Sequence, residues 1–149
     1  MIDKLAIEQA KSSYRDGYNA GDIEKILSVF MPAFTDFSDR QPGFYGSEAP
    51  SALKKRLQEL FSHYSVSLTV SIINVVVQGE RATDYGWHQW RLTPKGGGPA
   101  IYSKQRYVTQ WVKADGGWKI WLIITNREEP PRMEPFPESQ VMEQLAAGA

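Results

Sequence analysis

The sequence predicts an α+β fold in which helices come first and a curved antiparallel sheet follows. Two observations carry that expectation. Apolar residues recur at helical spacing up to Tyr64 and at strand spacing beyond it. The second half is interrupted only by short Gly-bearing connections, Gln78-Gly-Glu80, Pro94-Lys-Gly-Gly-Gly-Pro99 and Asp115-Gly-Gly117, which favour hairpins over long crossovers. A chain of 149 residues is long enough to bury a core without disulfides or a structural metal.

The first helix is expected over about Ile2 to Asn19, with Ile2, Leu5, Ala6, Tyr14 and Tyr18 as its apolar stripe. Gly21 suits the left-handed residue that closes a helix, and Asp22 can accept hydrogen bonds from the free N–H groups that open the next. Ile23, Ile26, Leu27 and Phe30 then define a short second helix, Asp22 to Met31, which Pro32 ends. Ala33 to Asp39 reads as a brief edge strand running into turn sequence. Ser47 is the expected cap of a third helix, with Pro50 in its first turn and Leu53, Leu57, Leu60, Phe61 and Tyr64 on its apolar face.

Four long strands follow, Val66 to Val77, Arg81 to Thr93, Ala100 to Ala114 and Trp118 to Arg127, rich in β-branched and aromatic residues. With the edge strand, a four- to six-stranded antiparallel meander results. Residues 1–129 thus form one domain. Residues 130–149 form a proline-rich tail with a weak helical signal from Ser139 to Ala147, whose Val141, Met142 and Leu145 either dock on the body or a partner or fray.

Composition removes several function classes. The absence of cysteine excludes disulfide frameworks, thiolate nucleophiles and Cys-ligated zinc, and it fits a reducing cytoplasm. Seventeen basic residues balance seventeen acidic ones, so no overall field attracts nucleic acid or an anionic membrane surface. Asp3, Lys4, Glu8 and Lys11 interrupt any signal-peptide core, and no apolar run approaches the length of a bilayer span. The expectation is a soluble, cytoplasmic protein without nucleic-acid or membrane partners.

The order helix, Gly21-Asp22, short helix, edge strand, Gly46, third helix and curved sheet resembles the nuclear transport factor two-like superfamily, a cystatin-like cone. The two segments that carry the resemblance are Tyr14 to Phe30 and Val108 to Ile120, the latter containing Asp-Gly-Gly-Trp-Lys-Ile. Within the superfamily the chain is similar to ketosteroid isomerases, SnoaL-like polyketide cyclases and the association domain of calcium/calmodulin-dependent kinase. One fold hosts enzymes, binding modules and oligomerisation domains there, so the resemblance implies architecture before chemistry.

Side chains alternate across a strand, and the resemblance places the odd-numbered positions of the later strands inside the cone. That assignment predicts a cavity lined by Tyr85, Trp87, Tyr107, Thr109, Trp111, Ile123, Thr125 and Arg127, with Tyr14, Tyr18, Asp36 and Ser38 on the opposite wall. Even pairing would align Trp87, Tyr107 and Thr125 in one row. Asp84, His88, Trp90, Leu122 and Ile124 would then face outward onto a second subunit in a homodimer.

An isomerase of this fold moves a proton with a carboxylate and polarises a carbonyl with a tyrosine and a protonated aspartate. Counted along the resemblance, Tyr14 takes the tyrosine position, while Ser38 and Thr109 stand where the two acids would be. Asp36, two residues before Ser38, is the remaining candidate general base. Arg127 either neutralises a ligand carboxylate at the mouth or pairs with Glu128 or Glu129. Two histidines without carboxylates at ligand spacing give no metal motif, and no cofactor motif is present. Two functions stay open: a domain binding a small apolar or aromatic molecule in the cone, or a cofactor-free isomerase or lyase using Asp36 and Tyr14.

Overall fold

Gly21 adopts a φ of 66°, and its N–H donates to the Tyr18 carbonyl at 3.2 Å, closing the first helix within one residue. Asp22 Oδ1 then accepts from the Lys25 N–H at 3.1 Å and opens the second. A computed structural model describes residues 2–128 of the chain. Its elements in chain order are α1 (Ile2–Ala20), α2 (Ile23–Leu27), β1 (Phe30–Phe37), β2 (Phe44–Gly46), α3 (Ala49–His63), β3 (Tyr64–Gln78), β4 (Arg81–Pro94), β5 (Ile101–Ala114) and β6 (Gly117–Arg127). The tail expected over 130–149 lies outside the described residues.

The strands form one six-stranded sheet in the order β2-β1-β6-β5-β4-β3. All neighbours are antiparallel except β1 and β6, which run parallel, so the sheet is mixed and not a simple meander. β1 is also not an edge: β2 and β6 flank it, and β2 takes the edge. The second helix ends at Leu27, four residues short of expectation, because Val29 and Phe30 are drawn into the sheet. The Ile120 N–H donates to the Val29 carbonyl at 2.8 Å, and Phe30 pairs with Ile120. At the third helix the cap position is held by Glu48, whose side chain makes no capping bond, in place of Ser47.

The buried stripe of α1 is Ile7, Lys11, Tyr14, Gly17 and Tyr18, and Ile2 and Leu5 are exposed. Asp3 fixes that rotation by accepting from Lys113 Nζ at 3.0 Å and Trp118 Nε1 at 3.2 Å. Asp3, Ile7, Lys11, Tyr14 and Tyr18 are spaced by three and four, so one face of the helix meets the sheet. No described helix is long and apolar enough to cross a membrane.

Sheet register corrects the inward face of β4. Gly86 lies opposite Tyr107, Asp84 opposite Thr109 and His88 opposite Gln105, so even positions of β4 share a face with odd positions of β5. Asp84, His88 and Trp90 therefore point into the cone. Tyr85 and Trp87, expected in the cavity, lie on the outer face opposite Val108 and Arg106. On β6 the pairs Tyr107 with Thr125 and Thr109 with Ile123 keep parity, but a bulge beyond Gln110 brings Ile120 opposite Trp111 and moves Trp121 off the inner set.

Candidate functional site

A cavity of about 530 Å³ opens between α1, α3, the β1–β2 loop and the sheet. Its apolar lining is Leu57 and Leu60 from α3, Trp90 and Leu92 from β4, and Ile101 from β5. Its polar lining is Tyr14 and Tyr18 from α1, Ser38, Asp39, Arg40 and Gln41 from the strand end and loop, Arg56 and Glu59 from α3, Ser103 and Gln105 from β5, and Thr125 and Arg127 from β6. An apolar chamber with a few convergent polar groups is the usual form of a small-molecule site.

The central polar feature is an ion pair. Asp36 is only 2% exposed. Its Oδ2 accepts from Arg56 Nη2 at 2.8 Å, and its Oδ1 from Ser38 Oγ at 2.5 Å and Arg56 Nη1 at 3.4 Å. The Arg56 guanidinium lies 4.8 Å from the Phe44 ring centroid, within cation–π range. Both carboxylate oxygens of Asp36 are thus engaged, and its work in this geometry is to orient Arg56 at the cavity wall. Tyr18 and Tyr14 stand beside this pair with ring centroids 4.9 Å apart. Burial raises both phenols above their ordinary range. For Tyr18 the Arg56 charge opposes that rise, whereas for Tyr14 the Tyr18 and Asp36 neighbours add to it.

The loop carrying Asp39 and Arg40 is tied down from the far side. The Asp39 N–H donates to Thr125 Oγ1 at 3.0 Å, and Arg127 approaches the Asp39 carboxylate at 3.9 Å. Arg127 is exposed and pairs across the loop, so its charge is shared with Asp39 and not with Glu128. Glu128 instead meets Lys104 and Trp87 Nε1.

Behind Tyr14 lies a second polar group, fully enclosed. Asp84 accepts from Tyr107 Oη and Trp111 Nε1, each at 2.6 Å. Lys11, 1% exposed, donates to Thr109 Oγ1 at 3.2 Å and sits 3.7 Å from the Tyr107 ring centroid. Burial lowers the Lys11 ammonium from 10.5 to about 8, with Asp84 opposing. His88 stacks on Tyr107 at 4.2 Å, and burial, with Lys11 adding, pushes it well below its ordinary range. Asp84 and His88 were expected on the outer face, and the odd pairing of β4 with β5 brings them inside.

The cavity therefore gathers Tyr14, Tyr18, Ser38, Thr125 and Arg127 of the sequence-predicted residues, with Asp36 directly behind Arg56. Tyr107, Thr109, Trp111 and Ile123 are buried in the closed end of the cone and do not line the open chamber. Sequence reasoning missed Arg56 and Lys11. Each carried a signal: Arg56 is three residues after Leu53 and four before Leu60, and Lys11 is four after Ile7 and three before Tyr14, so both charges fall on apolar helix faces.

The Lys11 environment fixes a pH dependence. From α1 it faces Tyr14, from β4 Asp84 and His88, and from β5 Tyr107 and Thr109. Its folded pKa is depressed, so between pH 8 and 10 the unfolded chain holds a proton that the folded chain has released, and stability rises with pH in that window. Above pH 10 the raised tyrosines reverse the trend. The unfolding free energy of the wild type, from urea titration, is expected to gain on the order of 2 kcal/mol from pH 8 to 10 relative to Lys11→Met, and equal slopes would refute it.

Helices packed on one concave face of a mixed sheet, with a chamber at the open end, define a cone-shaped α+β domain. The SnoaL-like domain profile matches residues 1–123, and the chain belongs to that family. Among curated proteins no sequence match is found. Solved structures share the fold at low identity. A ketosteroid isomerase-like protein from Erwinia carotovora atroseptica is 18% identical with a TM-score of 0.74, over 86% of this chain and 98% of that one. A candidate scytalone dehydratase from Novosphingobium aromaticivorans is 17% identical with a TM-score of 0.76, over 91% and 90%. An NTF2-like protein with a cystatin-like fold from the same species is 14% identical with a TM-score of 0.71, over 87% and 84%. These neighbours define the cystatin-like architecture of this chain.

Proposed function

We propose that this SnoaL-like domain binds a small apolar or aromatic molecule in the cone cavity, held by its ring against Trp90, Leu57 and Leu60 and by an oxygen at Arg56 and Tyr18. The observation that carries this reading is the 530 Å³ chamber whose lining combines apolar side chains with an arginine already oriented by a buried carboxylate. Neutralised by Asp36, Arg56 suits a carbonyl, ether or hydroxyl oxygen better than a free anion. Calorimetric titration with 2-methoxynaphthalene tests it: the wild type is expected to bind, Leu60→Trp to abolish binding by filling the chamber, and Tyr18→Phe to weaken it about fivefold. Absence of binding by the wild type would overturn the reading.

A second reading, an isomerase or lyase with Asp36 as general base and Tyr14 as carbonyl donor, is favoured by the burial of Asp36 and by its link through Ser38 to the chamber. It is opposed by the full engagement of both Asp36 oxygens. Solvent deuterium uptake at the α-carbon of 2-tetralone, lost in Asp36→Asn, is the result only this reading expects. The half-exposed outer-face residues Tyr85, Val108 and Ile124 fit a homodimer through the sheet, which solution mass tests.

A further inference from the structure

Arg40 is the one residue other than glycine with a left-handed backbone among the described residues, at a φ of 57°. It occupies the third position of a four-residue turn, closed where the Gln41 N–H donates to the Ser38 carbonyl at 3.2 Å. Glycine or asparagine is the usual occupant of such a position, because a β-carbon crowds the following carbonyl there. The surroundings hold the turn in this shape. The Asp39 N–H donates to Thr125 Oγ1 at 3.0 Å, the Asp39 carboxylate stands 3.9 Å from Arg127, and Ser38 Oγ donates to Asp36 at 2.5 Å. Strained backbone of this kind collects at ligand clamps, where the side chain has a task that glycine cannot perform.

The turn lies on the chamber. Ser38, Asp39, Arg40 and Gln41 all line it, and Arg40 is also exposed, which puts it at the rim. Arg56 Nη2 is 3.5 Å from Ser38 Oγ, so an oxygen bound at Arg56 lies beside the start of the turn, with Arg40 two residues further along. Three guanidiniums therefore gather around residues 38–41 against two carboxylates. Arg56 is matched by Asp36 and Arg127 by Asp39, while Arg40 has no ion-pair partner among the described residues. Glu59, the other lining charge without one, is carried by α3 and not by this turn.

We infer that Arg40 recognises a carboxylate at the mouth of the chamber. The ligand class is then a planar apolar ring carrying an ether or carbonyl oxygen and, just beyond that oxygen, an acid group. This rests on the ligand-binding reading of the chamber and adds a second, charged anchor to it. The inner oxygen stays with Arg56 and Tyr18, and the carboxylate meets the guanidinium left unmatched, whose planar fork offers two parallel N–H donors. At an exposed rim the gain is modest and falls with salt.

Calorimetric titration with three compounds that share one ring and one ether oxygen tests it: 2-naphthoxyacetate, its neutral amide, and the cationic 2-naphthoxyethylamine. The acid is expected to bind about fivefold more tightly than the amide at low salt, with the ratio shrinking at high salt. In Arg40→Gly, which suits the left-handed position, and in Arg40→Gln, the ratio of acid to amide affinity is expected to fall to about one. A ratio near one in the wild type, or an unchanged ratio in both variants, would overturn the inference and leave the cavity reading standing. An amine that binds more tightly than the amide would also overturn it, by assigning the rim to Glu59. Failure of all three compounds to bind would overturn the two together.

Discussion

Asp84→Ala is expected to destabilise the protein by about 4 kcal/mol, measured as a fall in the urea midpoint and a melting temperature lower by roughly 10 °C. Asp84 is fully buried and accepts from Tyr107 and Trp111. It is also the opposing charge for the enclosed Lys11. Alanine strands two donors and leaves the ammonium without its counter-charge, and unmet buried groups cost more than a made hydrogen bond returns. Lys11→Met should cost less, because the Asp84 carboxylate keeps both donors. The double variant Lys11→Met with Asp84→Leu should recover the part of the loss that comes from the uncompensated ammonium, while Tyr107 Oη and Trp111 Nε1 remain without their acceptor. A double variant no better than Asp84→Ala would show that Asp84 acts through its two donors alone.

Gly86→Ala is expected to be at least as damaging, with loss of more than 3 kcal/mol or insoluble expression. A Cβ on Gly86 would meet the Ser71 carbonyl oxygen at 1.9 Å, the Ser71 carbonyl carbon at 3.0 Å and the Ile72 Cα at 3.1 Å. All three are backbone atoms of β3, so no side chain can turn aside. The site coincides with a bulge, where Ile72 pairs with Gly86 and Asn74 with Tyr85, leaving Ile73 as the extra residue. Relief requires β3 to move, and β3 carries the Leu68 N–H and carbonyl that bind the Asn19 amide of α1. Circular dichroism melting of Gly86→Ala beside Gly96→Ala, a glycine with open space around it, separates this clash from a generic loss of glycine.

These two residues also mark the boundary of what the sequence made legible. Gly21-Asp22, the helical stripes and the Gly-bearing turns led to the cone, because each is local chemistry: a left-handed residue, a cap, a period. The inward face of β4 was not legible, since it depends on how Arg81–Pro94 pairs with Ile101–Ala114 across the hairpin. A shift of one residue there exchanges Asp84, His88 and Trp90 for Tyr85 and Trp87. Gly86 was the available clue, because a glycine within an otherwise bulky strand marks a bulge or a close backbone approach. The ion pair that engages Asp36, the candidate general base, was not legible for a related reason. Its partner Arg56 lies 20 residues away on another element, and no spacing rule links a strand carboxylate to a helix guanidinium.

The parallel pairing of β1 with β6 has a consequence for the order in which the molecule assembles. Asp36 lies beside Ile123, so this junction joins segments far apart in the chain, and closing it before other contacts form carries a large loss of chain entropy. The β3–β4 and β4–β5 hairpins close over short loops and can form early. The chamber cannot, because its walls include Tyr14 and Tyr18 from one end of the described chain and Thr125 and Arg127 from the other. A ligand that binds only the assembled chamber is expected to slow unfolding, and its effect on the refolding rate reads the order of assembly: no change places the chamber after the rate-limiting step, and an acceleration places it before.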